Sequence, residues 1–171
     1  MIWKASSARH LTQVAVLAAV GIVLQVVESF VPLPVPFLKI GLANIASLVA
    51  LVVWSPRDMV IVLLTRVIAG ALILGSLLSP SFLISLSSGL AAAAAMWAAY
   101  RGPRRIFSVV GISLIGSVTH VMVQLLVVSL LIVQDPSLLV LLPLLLLTAL
   151  VGGLVVGLIS LKLVPVLQAG R

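Results

Sequence analysis

Long apolar runs, separated by short segments rich in proline, glycine or charge, dominate the chain. A membrane-spanning helix needs roughly 20 mostly apolar residues, and proline, glycine or charged residues commonly mark its ends. The pattern therefore predicts an all-α integral membrane protein with a single transmembrane domain over residues 1–171. Its six predicted spans cover approximately residues 11–27, 38–54, 59–74, 82–100, 107–133 and 138–164.

The segment between the first two predicted spans has a different pattern, Val31-Pro32-Leu33-Pro34-Val35-Pro36, with proline at every second position. Because proline fixes φ and lacks an N–H group, this segment is predicted to be extended rather than helical. Backbone that lacks helical hydrogen bonds at membrane level must be buried in protein or line a water-filled cavity. We therefore expect the segment to lie against other parts of the chain or beside a cavity.

Composition supports the membrane assignment, and the distribution of charge predicts the orientation of the chain in the membrane. Hydrophobic residues make up 63% of the chain and charged residues only 8%, whereas an average soluble domain is about 25% charged. The net charge is +7, and six spans place eight of the ten basic residues on one side. The positive-inside rule then predicts that both termini are cytoplasmic, so the charge reflects topology and nucleic-acid binding is not expected. The eight residues are Lys4, Arg9, Arg57, Arg101, Arg104, Arg105, Lys162 and Arg171.

The residue inventory limits the chemistry of the chain. It contains no cysteine, which excludes disulfides, thiolate catalysis and cysteine-ligated metals. It contains two histidines, and His10 lies at the predicted cytoplasmic end, far from His120. No metal site, no cofactor and no catalytic residue is therefore predicted.

Polar side chains inside the spans are the candidate functional residues, because charged groups cost at least about 2.5–3.5 kcal/mol in hydrocarbon. At about 1.5 Å per residue, Arg66 lies roughly 13 Å from the cytoplasmic end of its span, near the middle of the bilayer. The other candidates lie in or beside the outer half: Glu28, Lys39, Asn44, His120 and Gln124. This asymmetry predicts a ligand pocket that opens outward and is closed below by apolar packing.

The fifth predicted span carries its polar residues on one face. They are Ser113, Ser117, His120 and Gln124. Their offsets of 0, 4, 7 and 11 place them within about 60° of arc on a helix. The two serines are expected to hydrogen-bond between helices, as is common in membranes. His120 and Gln124 are expected to contact the ligand, because an imidazole and an amide together offer paired donors and acceptors.

Arg66 has two interpretations, because a buried guanidinium needs partners. In the structural interpretation it pairs with Glu28, the one carboxylate of the outer half, or with backbone carbonyls. In the functional interpretation Arg66, helped by Lys39, receives the anionic group of a ligand. Glu28 then balances the charge or binds a donor of the ligand.

Several of these residues lie in motifs that follow one another along the chain. The motifs are Glu28-Ser29-Phe30-Val31-Pro32-Leu33-Pro34-Val35-Pro36, Lys39-Ile40-Gly41-Leu42-Ala43-Asn44-Ile45, Thr65-Arg66 with Gly70, and Gly116 followed by His120 and Gln124. Their order resembles the Gx transporter family, which is also catalogued as heptaprenyl diphosphate synthase component I. That family often has asparagine after the histidine, whereas Val121 follows His120 here, so any role of that amide is lost.

The resemblance implies a fold and a set of partners. The family resembles the S components of energy-coupling-factor (ECF) importers, which are six-helix bundles with an outward pocket capped by loops. By this resemblance the proline segment is part of a lid. Ala15 and Ala19 are the candidate docking surface for a transmembrane coupling subunit that works with two cytoplasmic ATPases. A small-molecule ligand and membrane lipids are the other expected partners, and a prokaryotic cell membrane is the expected location.

The first predicted function is that of a substrate-binding, S-component-like subunit that captures a small anionic vitamin-, isoprenoid- or quinone-related molecule from outside. The alternative is a non-catalytic accessory subunit linked to heptaprenyl diphosphate or menaquinone biosynthesis. Glu28, Asp58 and Asp135 are too scattered to hold the magnesium diphosphate that a prenyl diphosphate synthase needs, so the chain is not expected to be an enzyme. A stand-alone carrier without ATPase partners is a third possibility.

Overall fold

A computed structural model describes residues 5–31, 41–102 and 107–169 of the protein. Within these ranges the regular structure is helical, with six α-helices and no strand. The helices are α1 (Ala5–Ser29), α2 (Asn44–Val53), α3 (Pro56–Ile73), α4 (Pro80–Arg101), α5 (Val109–Val127) and α6 (Leu142–Ala169). A π-helical turn, Val128–Ile132, extends α5, and a 3₁₀ helix, Pro136–Leu141, leads into α6. The all-α prediction and the six predicted helices are confirmed.

Serine residues mark the start of three helices. The hydroxyl of Ser55 accepts the N–H of residue 58, and Ser79 and Ser108 make the equivalent bonds at the starts of α4 and α5. Pro56 and Pro80 follow the first two of these serines. They occupy the first helical position, where a backbone N–H would have no intrahelical acceptor, so the lack of an N–H group in proline costs nothing there. Pro143 lies in the first turn of α6, where a helix tolerates proline.

Four helical stretches in the described residues are long and apolar enough to cross a membrane. They are Ala8–Ser29, Pro80–Arg101, Val109–Ile132 and Pro136–Ala169. α3 is 18 residues long but carries Arg57, Asp58 and Arg66. The six-span topology with cytoplasmic termini stays a prediction.

The second helix is shorter than the predicted span of residues 38–54. α2 has 10 residues, about 15 Å, which is half of a hydrocarbon core of roughly 30 Å. Gly41 has a φ of +87°, a left-handed conformation that ends any helical continuation from the preceding residues. The proline segment and the first residues of this predicted span lie outside the described residues.

α2 lies at the centre of the bundle, packed against α1, α3, α4 and α6. Every one of its residues except Val52 is buried. This helix is therefore enclosed by protein, which explains how a short helix with Asn44 at its first position is stable in an apolar chain.

α5 and α6 approach each other closely along a glycine seam. A β-carbon at Gly157 would lie 2.8 Å from the Cα of Val110, and one at Gly153 would lie 2.9 Å from the Ser117 hydroxyl. Ser113 donates a hydrogen bond to the Gly153 carbonyl at 2.7 Å. The predicted use of the span-five serines as interhelical contacts is confirmed for Ser113.

Candidate functional site

Glu28 connects the end of α1 to the start of α2. Its Oε1 accepts the backbone N–H of Leu42 at 2.6 Å, and its Oε2 accepts that of Ala43 at 3.4 Å. Leu42 and Ala43 immediately precede α2, where the positive end of the helix dipole favours a carboxylate. Glu28 is buried, so its negative charge is used mainly to position α2.

Arg66 connects three helices through two side-chain amides. One terminal nitrogen donates to Gln25 Oε1 of α1 at 3.2 Å, and the other donates to Asn44 Oδ1 of α2 at 2.7 Å. Only 4% of Arg66 is exposed. Gly21 and Gly70 make room for this arrangement, because a β-carbon at Gly21 would lie 3.2 Å from Arg66 Cδ and one at Gly70 would lie 2.8 Å from Gln25 Nε2.

Neither structural partner expected for Arg66 is the one found. In the described part of the chain Arg66 forms no ion pair with Glu28, whose carboxylate faces the α2 backbone instead. Within the ranges that the structure describes, its hydrogen bonds go to amide side chains and not to backbone carbonyls. Sequence reasoning missed Gln25 as a site residue. The available signal was its position three residues before Glu28, which puts both on one face of α1.

Three buried polar atoms beside these contacts have no hydrogen-bond partner among the described residues. They are Arg66 Nε, Asn44 Nδ2 and Ser47 Oγ. Asn44 and Ser47 are three residues apart on α2, so they lie on one helix face. Native proteins pair most buried polar groups, and an unpaired one calls for a water, an ion or another explanation. Nitrogen donors prevail here, so an acceptor-rich group suits the position best.

His120 and Gln124 lie next to this group on α5. Both are buried, and Gln124 Nε2 lies 3.2 Å from His120 Nε2. Gly41 joins the two parts, because a β-carbon there would lie 3.1 Å from Asn44 Nδ2 and 3.6 Å from His120 Cδ2. We call the combined set the polar cluster; its members are Gln25, Glu28, Asn44, Ser47, Arg66, His120 and Gln124.

The structure places the other predicted site residues separately. Lys39 lies outside the described residues, so its position relative to the polar cluster stays a prediction. Ala15 and Ala19 are exposed on α1. Two cavities, of about 690 and 490 Å³, lie at the opposite end of the bundle, and no member of the polar cluster lines them.

The three carboxylates of the chain each have a structural hydrogen-bond partner. Glu28 accepts backbone N–H groups, Asp58 accepts the Ser55 hydroxyl, and Asp135 accepts the N–H of residue 137. In the described residues no group of three histidine or carboxylate side chains is placed to hold a metal ion. The described part of the chain therefore offers no carboxylate cluster for a magnesium diphosphate.

A family model described as heptaprenyl diphosphate synthase component I matches residues 17–163. The chain belongs to this family. No curated protein and no solved structure matches the chain significantly. The heptaprenyl diphosphate synthase component I match includes all members of the polar cluster, and the family is named as a component of a synthase.

Proposed function

We propose that this chain is the membrane-embedded substrate-binding subunit of an importer, similar to the S components of ECF importers. It captures a small anionic vitamin-, isoprenoid- or quinone-related molecule from the outer side of a prokaryotic cell membrane. The observation that carries the proposal is the buried Arg66 guanidinium, which retains an unused donor beside two further buried polar atoms of α2.

The donor geometry favours an anion. A guanidinium has five N–H donors in a fixed fork that matches carboxylate and phosphate oxygens. Gln25 and Asn44 each accept one of these donors, and Nε has no partner among the described residues. Asn44 Nδ2 and Ser47 Oγ add further hydrogen-bonding capacity close by. One carboxylate or phosphate group satisfies several of these donors together through charge-assisted hydrogen bonds.

The surroundings of Arg66 suit the remaining part of such a ligand. Gly89 of α4 has no side chain, and a β-carbon there would lie 4.0 Å from the Arg66 guanidinium and 2.9 Å from Leu63 Cδ1. The site is therefore bounded by an apolar side chain on one side and by His120 and Gln124 on another. In this proposal His120 and Gln124 select polar groups of the ligand, and Lys39 attracts its charge.

Transport requires partners in this proposal. The chain has no P-loop motif, so ATP hydrolysis belongs to two cytoplasmic ATPases bound through a transmembrane coupling subunit. Ala15 and Ala19 are exposed on α1, and small exposed residues allow close approach of a partner helix. Six spans with cytoplasmic termini put this face within the membrane and the polar cluster toward the outside.

The test is mass spectrometry of the small molecules that co-purify with the protein. Wild type is expected to retain an anionic molecule, and Arg66→Gln is expected to lose at least about 90% of it, since a charge-assisted bond is worth about 1.5–3 kcal/mol. Arg66→Lys keeps the charge but not the fork, so it is expected to retain an intermediate amount. Arg9→Gln, an exposed arginine near the start of α1 that lies in neither the polar cluster nor its contacts, is the control. Retention within a factor of two of wild type in Arg66→Gln would remove Arg66 from the site.

The family name favours a second function, that of a non-catalytic accessory subunit of prenyl diphosphate synthesis. In that case the chain recruits a soluble synthase component to the membrane. It then co-purifies with a prenyltransferase, stimulates its activity, and retains no water-soluble anion. Reconstitution of the chain alone in liposomes separates both functions from a stand-alone carrier, because only the carrier moves the ligand without partners.

A further inference from the structure

A groove of about 690 Å³ lies between α3 and α4, at the end of the bundle opposite the polar cluster. Its walls include Met59, Val60, Ile61, Leu90, Ala93 and Ala94, all of which are apolar. Val60, Ile61 and Leu90 are exposed on the outside of the bundle, whereas Met59 is buried. The groove is thus accessible from lipid and offers almost no hydrogen-bonding group to a water-soluble ligand.

The length of the groove matches part of one lipid leaflet. Along α4 it runs from Leu90 to Trp97, a distance of about 10 Å at 1.5 Å of rise per residue. One leaflet contributes about 15 Å to a hydrocarbon core of roughly 30 Å. A single hydrocarbon chain lying parallel to the helices therefore fits along the groove, with its first carbons at the Trp97 end.

Two exposed arginines lie at that same end. Arg57 lines the groove, and the Arg101 guanidinium lies 4.4 Å from the centre of the Trp97 ring. Asp58, the carboxylate next to Arg57, is already engaged, because it accepts the Ser55 hydroxyl at 2.6 Å and lies 3.4 Å from His10. The mouth of an apolar groove therefore carries two arginines, and the neighbouring carboxylate is paired with other groups.

We propose that this groove binds an anionic phospholipid. One acyl chain lies between α3 and α4, the phosphate lies between Arg57 and Arg101, and Trp97 marks the membrane interface. Basic pockets between helices on the cytoplasmic side commonly receive anionic lipid head groups, and tryptophan is enriched at interfaces. This proposal does not depend on the proposed function, because none of its residues belongs to the polar cluster.

The test uses native mass spectrometry of delipidated protein titrated with phosphatidylglycerol or with phosphatidylcholine of identical acyl chains. Wild type is expected to bind phosphatidylglycerol more tightly than phosphatidylcholine. Arg57→Gln and Arg101→Gln are each expected to lower that affinity about fivefold, and the double variant about thirtyfold, with little effect on phosphatidylcholine. Lys162→Gln removes an exposed basic residue of α6 that does not line the groove, so its affinity is expected to stay within twofold of wild type.

A second variant tests the groove itself. Ala94→Trp places a large side chain in the groove from an exposed position and is expected to lower the binding of both lipids. Equal binding of the two lipids by wild type, or an unchanged preference in the double arginine variant, would overturn the proposal. If Ala94→Trp changes the oligomeric state but not lipid binding, the groove seats a protein helix and the proposal is wrong.

Discussion

Two ionisable residues of α3, eight positions apart, are held in different ways. Asp58 lies in the first turn, where its carboxylate accepts the Ser55 hydroxyl and its own N–H donates back to that oxygen. Arg66 lies in the middle of the helix, where its donors reach two other helices and are only partly used. Asp58 completes a local cap, whereas Arg66 depends on tertiary packing.

Asp58 carries a structural charge, whereas Arg66 carries a candidate functional charge. The Asp58 contacts come from residues within three positions in sequence, together with His10, so they form whenever α1, α2 and α3 are in place. The Arg66 contacts span 41 and 22 positions in sequence, and they leave Nε without a described partner. Buried polar groups that are unpaired reduce stability, so the proposed ligand would stabilise the Arg66 region by pairing with Nε.

The largest expected effect concerns the partners of Arg66. Gln25→Leu removes an acceptor and leaves the buried guanidinium with one hydrogen-bond acceptor among the described residues, Asn44, so we expect a loss of about 1.5–3 kcal/mol in the free energy of unfolding. Gln25→Leu/Arg66→Met replaces both groups with apolar ones and is expected to recover most of this loss, because no unpaired charge is left. Unfolding in mixed detergent micelles measures both effects.

The control for this pair is Gln13→Leu, a glutamine on the same helix that is only partly buried. Its effect is expected to stay below about 0.5 kcal/mol, as for most partly exposed substitutions. The decisive observation is a double variant that is stable and yet retains no co-purified anion. A double variant that is no more stable than Gln25→Leu would contradict the view that the lost stability comes from an unpaired charge.

A smaller effect is expected at Asp58. Asp58→Ala removes the acceptor for the Ser55 hydroxyl and a negative charge from the first turn of α3, which is expected to cost about 1 kcal/mol. Asp58→Asn retains an acceptor and is expected to cost less. Neither variant should change retention of the anion, because Asp58 belongs to no contact of the polar cluster. Loss of the anion in Asp58→Asn with unchanged stability would show that Asp58, like Arg66, contributes to anion binding, which would contradict its purely structural role.

The sequence predicted the members of the polar cluster better than their contacts. Depth along the spans grouped Glu28, Asn44 and Arg66, and the structure brings them together with His120 and Gln124. Spacing within a helix does not specify which groups meet across helices, so the pairing of Arg66 with Gln25 was not predicted. Nor was the contact of Glu28 with the α2 backbone, because a sequence does not show where helix ends meet.

The boundaries of the second helix show the same limitation. The apolar run of residues 38–54 has the length of a membrane span, but α2 begins only at Asn44. Hydropathy does not register that Gly41 takes a positive φ. The helix starts at Ser55, Ser79 and Ser108 carry a local signal that needs no tertiary contact, a serine that proline follows in the first two cases.

The smallest expected effect concerns Asp135. This carboxylate lies between two helical stretches that are long and apolar enough to cross a membrane. Its Oδ1 accepts the backbone N–H of Ser137 at 2.9 Å, and this bond lowers the pKa of Asp135 below its ordinary value of 3.8. Because the pKa is lower in the folded state, the carboxylate stabilises the fold above the ordinary pKa. That contribution disappears as the pH falls through the lowered value. Asp135→Ala is therefore expected to unfold at a slightly lower temperature than wild type at pH 6, and the difference is expected to vanish in strong acid. A difference that persists unchanged at low pH would show that Asp135 acts through neutral packing and not through its charge.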